Sequence, residues 1–180
     1  IDMDYDNPYT TEPIPQDVKT KVSNQIRKLT TLGKLEVIED TIIRDREDAL
    51  KQKLVDIFSQ IEYSGYSCDI QWMLTLNLNK LKKLYRQMED IWNYRANLSV
   101  PVKINIAPPD GRLFTHQIGD IMSRDSRIEL LEIITGYIGK MLNAATPGDM
   151  NLGLMYFLVG LSMVSRPCFM THQSWVQYVY

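Results

Sequence analysis

DIQWMLTLNLNKLKKLYRQMEDIWNYRA, residues 69–96, contains neither glycine nor proline. Within it Leu74, Leu78, Leu81, Tyr85, Met88, Trp92 and Arg95 recur at alternating steps of four and three, and Leu84, Ile91 and Leu98 widen the same face. That spacing predicts one long helix over 69–98 with a side built to be buried. It sets the expected class as mainly α, a single-domain helical bundle of about six helices with an extended N-terminal arm.

The flanking segments extend the pattern. Residues 34–62 are also free of glycine and proline, with Leu35, Ile38 and Ile42, then Leu50, Leu54, Ile57 and Ile61, on an apolar face. Val18, Val22, Ile26 and Leu29 predict a first helix over 18–33, with Gly33 placed to stop it. Ser126 and Glu129 form a capping box that opens a helix over 126–144. Thr146, Pro147 and Asp149 open another over 147–165, with proline at the first helical position. Gly136, Gly139, Gly153 and Gly160 lie inside these last two helices, where each costs about 1 kcal/mol against alanine. Gly153 and Gly160 are seven apart and share a face, so close helix packing is the expected account of that pair. Trp92, Leu81, Met88, Leu131, Ile134, Phe157 and Leu161 are the expected core.

Between and beyond these helices the periodicity changes. Val102, Ile104 and Ile106 alternate with Lys103 and Asn105, a short strand-like or extended linker. Pro108-Pro109-Asp110-Gly111 turns the chain, and Phe114, Ile118 and Ile121 suit a short helix. Ser165-Arg166-Pro167 stops the last core helix, leaving residues 168–180 as a mixed aromatic tail. Residues 1–17 carry Asp2, Asp4, Asp6, Glu12 and Asp17 among Pro8, Pro13 and Pro15. They read as an extended acidic arm, with 18–180 as the α-helical domain. Tyr5, Tyr9 and Ile14 are spaced apolar anchors in that arm, suited to docking on this core or on a neighbour.

Composition excludes little. At 180 residues, 44% hydrophobic and 23% charged, the chain is long enough for a core. A net charge of −2 gives no global pull towards nucleic acid or acidic membranes. Residues 150–165 are apolar but shorter than the ~20 residues a bilayer requires, so a buried helix and no membrane span are expected. Cys68 and Cys168 read as free thiols, which fits a reducing intracellular compartment or a virion. The first residue, Ile1, makes a fragment, a processed product or only the ordered part of something longer the expectation.

Chemistry is sparse. Cys68, His116, Cys168 and His172 have the count for a zinc site, but they are scattered and form no CxxC pair. No metal, cofactor or small-molecule substrate is expected. No GxSxG or HExxH motif occurs. His116 and Asp120 could pair one helical turn apart. The adjacent carboxylates Glu39–Asp40 and Glu89–Asp90 point to different sides of a helix and cannot share a site. Lys80, Lys82, Lys83 and Arg86 cluster beside Tyr85, and Arg27 and Lys28 lie in a basic first helix. Together they could neutralise several phosphates.

MEDIWNYRANLS (88–99) followed by INIAPPDGRLF (104–114) resembles a segment of uncharacterised helical proteins of large double-stranded DNA viruses. The resemblance implies a viral context and no chemistry. The functional expectation is a non-enzymatic interaction or structural subunit of a larger assembly, through a protein partner or self-association. The alternative is a nucleic-acid-binding accessory protein using the basic helix faces; an enzyme whose site is invisible in sequence is third.

Overall fold

The computed structural model describes residues 15–31 and 34–178, with side chains at 15–30 and 43–178. Among the described residues it holds nine α-helices, one π-helical segment and no strand. They are α1 Gln16–Thr31, α2 Lys34–Tyr63, α3 Gln71–Leu74, α4 Leu78–Asp90, the π segment Ile91–Arg95, α5 Val100–Ile106, α6 Ile118–Ser123, α7 Arg127–Leu142, α8 Pro147–Ser162 and α9 Arg166–Val176. The mainly α class holds. The helix count exceeds six because a long helix is divided and two segments expected to be irregular are helical.

Two units are distinguished, Ile1–Asp48 and Ala49–Tyr180. The first holds α1 and the opening of α2. Helix α1 starts at Gln16, so Gln16 and Asp17 are helical rather than the end of an extended arm. Tyr5, Tyr9, Ile14 and Gly33 lie outside the described residues.

The second unit is organised around α8. Leu154, Phe157, Leu158, Val159 and Leu161 are all buried, and α9, α7, α4 and α5 pack on this helix. Among the described residues no helix is long and apolar enough to cross a membrane. Two glycines let neighbours approach: a Cβ at Gly160 would stand 2.9 Å from Met88 Cγ, and one at Gly153 the same distance from Ile106 Cγ2. Gly136 and Gly139 meet nothing comparable, so close packing does not explain them. The seven expected core residues are all buried, from Leu81 at 0% to Trp92 at 3% exposed.

The expected helix over 69–98 is interrupted. It breaks after α3, and Asn77 caps α4 by accepting a bond from the Lys80 amide at 2.9 Å. Arg127, from the start of α7, donates through Nε to the Leu76 carbonyl at 2.8 Å and through its terminal nitrogen to the Leu74 carbonyl. Those are the acceptors that a helix break releases. The apolar period persists through the break, so periodicity alone did not reveal it. At the far end, the Ala96 amide bonds to the Ile91 carbonyl at 3.0 Å, closing a π turn. The extra residue lets adjacent Ile91 and Trp92 both be buried. Asn97 then ends the segment at φ 46°.

Two further expectations are corrected. Residues 100–106 form α5, not an extended linker; Pro101 sits in the first turn, where its missing N–H costs nothing. Ile106 is buried and Val102 half-buried, one turn apart, so tertiary packing overrides the β-branched alternation. Residues 166–176 form α9, not an irregular tail, with Cys168, His172 and Val176 buried. The Arg166-Pro167 pair that stops one helix begins the next.

Candidate interaction surface

Because Leu81, Leu84, Tyr85 and Met88 turn inward, α4 presents its cations outward. Lys80, Lys83 and Arg86 are exposed at steps of three along one side. Lys82 is half-buried, and its ammonium donates to the Met122 carbonyl at 2.8 Å. Three of the four expected cations thus share an open face, while the fourth ties α6 to α4. Arg86 borders a hollow of about 310 Å³ that Glu89, Asp90, Tyr94 and Ile118 also line. Tyr94 is 70% exposed, and Ile118 and Met122 are each 37% exposed. The surface is therefore cationic over Lys80–Arg86 and mixed, apolar and acidic, from the last turn of α4 onward. Arg27 and Lys28 are both exposed on α1 in the first unit, and Arg27 also bonds Asn24 at 3.2 Å.

Arg95 pairs at the helix end. Its Nε stands 2.7 Å from Asp90 Oδ2, and a terminal nitrogen donates to Gln87 Oε1 at 2.8 Å.

His116 and the two thiols are engaged in separate hydrogen bonds, while His172 Nε2 is buried without a hydrogen-bond partner. His116 precedes α6, so it does not share a helix with Asp120. Its Nδ1 lies 2.6 Å from the Tyr137 hydroxyl, and its carbonyl accepts from the Tyr85 hydroxyl at 2.8 Å. Burial first, then the neighbouring Tyr137, pushes the Tyr85 phenol well above its usual range. The Cys68 thiol donates to the Phe58 carbonyl at 3.3 Å and the Cys168 thiol to the Leu158 carbonyl at 3.8 Å. Burial, reinforced by Glu62 and Asp69, pushes Cys68 up to about 12. Burial, reinforced by Cys68, does the same to Cys168. Neither thiol is a thiolate at neutral pH. His172 sits among the rings of Tyr66, Trp72 and Trp175. Among the described residues no three His, Cys, Asp or Glu side chains converge as metal ligands.

A second hollow of about 450 Å³ opens between the π segment, α5 and the turn that follows α5. Sequence reasoning missed it. A strand at 102–106 sends Lys103 to the side opposite Ile106. A helix swings it beside Ile106, and its ammonium stands 5.6 Å over the Trp92 ring. The signal that could have found it is the Pro-Pro-Asp-Gly turn, which folds Arg112 back onto α5.

No protein-family model, curated protein or solved structure matches this chain.

Proposed function

We propose that the chain is a non-enzymatic interaction or structural subunit of a larger assembly, with a viral setting as the context its 88–114 segment implies. The observation that carries this is the uncovered stripe of α1. Val18 is 41% and Val22 48% exposed, although they lie at helical spacing with half-buried Ile26 and Leu29. A helix of 16 residues is marginal alone in water and draws its stability from burying such a stripe. Lys19 flanks one edge, and Lys28 with Lys21, which stands 3.8 Å from Asp17, flanks the other, so the margins are mainly basic and suit a partner that is acidic at its own. The acidic stretch 1–14, with Tyr5, Tyr9 and Ile14 as anchors, has that chemistry when supplied by a neighbouring copy. Sedimentation equilibrium of Val18→Glu and Val22→Glu against the native chain tests the reading. Loss of association with unchanged helicity supports it; identical assembly refutes it.

A second reading rests on the open Lys80–Lys83–Arg86 face, which suits a phosphate backbone. It expects a gel shift of duplex DNA that weakens with salt and with Lys83→Gln. Unshifted DNA at low salt would remove this reading.

A further inference from the structure

We propose that the hollow between the π segment, α5 and the Asp110–Thr115 turn binds the phosphate of a soluble phosphomonoester, with Lys103 and Arg112 as its cationic clamp. Charge is the first ground. Two cations line the hollow, and no carboxylate is among the side chains that do, in a chain whose net charge is −2. The hollow beside Arg86, by contrast, carries Glu89 and Asp90.

The backbone that brings the cations together is specialised. Gly111 has φ 70°, and a Cβ there would meet Ile104 N and Lys103 C, both at 2.9 Å. Only glycine lets the turn lie against α5 in this way, and that contact puts Arg112 on the same hollow as Lys103. The opposite wall comes from the π segment, which supplies Trp92 and Asn93. Single π turns recur at functional sites, where the extra residue re-aims side chains.

The walls do not neutralise the cations. Lys103 is positioned by the Trp92 ring, an attraction that orients the ammonium without cancelling its charge. Arg112 forms only a loose, solvated pair with Asp110, which is not in the lining: Nε stands 3.9 Å from Oδ2 and the Arg112 side chain is 80% exposed. The other polar groups are committed: Asn93 donates to Glu89 at 2.6 Å, and the Thr115 hydroxyl lies 3.2 Å from the Tyr137 hydroxyl. Two cations from separate elements, one a forked guanidinium, suit a doubly charged phosphate better than a carboxylate. A volume of about 450 Å³ admits a molecule up to nucleotide size.

The experiment follows backbone amide resonances of the nitrogen-labelled full chain during titration with inorganic phosphate, adenosine monophosphate and adenosine. Both phosphates should move the amides of residues 111–115, and adenosine should not. Lys103→Met and Arg112→Met, which keep most of each apolar stem, should each weaken adenosine monophosphate by about tenfold or more, the loss of one charged contact. Unmoved amides, equal binding of adenosine, or variants that bind as tightly as the native chain would each overturn the proposal. So would capture by phosphatidic acid vesicles while the soluble phosphates stay inert.

Discussion

At Trp92 the core and the second hollow share one side chain. The ring is 3% exposed, meets Phe114 at 6.4 Å and carries the Lys103 ammonium on its face. Trp92→Ala should cost about 3–5 kcal/mol in chemical denaturation, as large-to-small core changes do; a loss below about 1 kcal/mol would mean that Trp92 faces solvent or a partner instead. His172 makes a different, pH-dependent contribution. It is 4% exposed among aromatic rings, and burial holds it below the ordinary 6.5 despite a bond to the Ser67 backbone. The folded state therefore takes up a proton less readily than the unfolded one. The stability this contributes is present above about pH 6.5 and is lost as the pH falls through the region below. Unfolding free energies measured across that range should decline with acid, and His172→Phe should flatten that part of the slope. An unchanged slope would show that other groups govern acid sensitivity. Trp92 as core was legible in the sequence from helical spacing; the setting of His172 was not, because its cage is drawn from the 66–72 segment and α9.

At the scale of elements, the break between α3 and α4 is the informative case. Asn77 supplies a local cap, while Arg127 supplies donors from a distant helix. Asn77→Ala should cost about 1 kcal/mol. Arg127→Met should cost about 1.5–3 kcal/mol, since it removes charged donors from two half-buried carbonyls. Equilibrium unfolding in urea measures both, and a smaller loss at Arg127 than at Asn77 would mean water replaces the guanidinium without penalty. The capping residues Ser126 and Thr146 announced α7 and α8 because a cap acts through bonds within its own turn. Helix α5 was misread because Val102, Ile104 and Ile106 satisfy a strand period locally, and only burial of Ile106 against α8 decides between the two. At α9, Pro167 is equally a terminator and a first-turn residue, and sequence alone does not choose.

For the molecule as a whole, association should reside in the first unit and fold stability in the second. Deleting residues 1–14 should leave far-UV circular dichroism and thermal unfolding of the 49–180 unit unchanged while weakening self-association or partner binding. Raised salt should slow that association, since edge charges steer encounter more than they strengthen it. Sedimentation and partner-binding rates that match the full chain would make the arm a passive tail.

Helicity, most helix starts and the identity of the core followed from the sequence by itself, because period, cap and proline position act within a turn or two of chain. The tertiary structure alone decided where the long helix breaks, that residues 100–106 coil rather than extend, and that Lys103 and Arg112 line one hollow. The first two outcomes turn on a partner far away in sequence, Arg127 for the freed carbonyls and α8 for Ile106; the third follows from the second, since a helix at 100–106 brings Lys103 to the side that the nearby Gly111 turn closes. A local pattern carries no information about such a partner until the chain has brought it into contact.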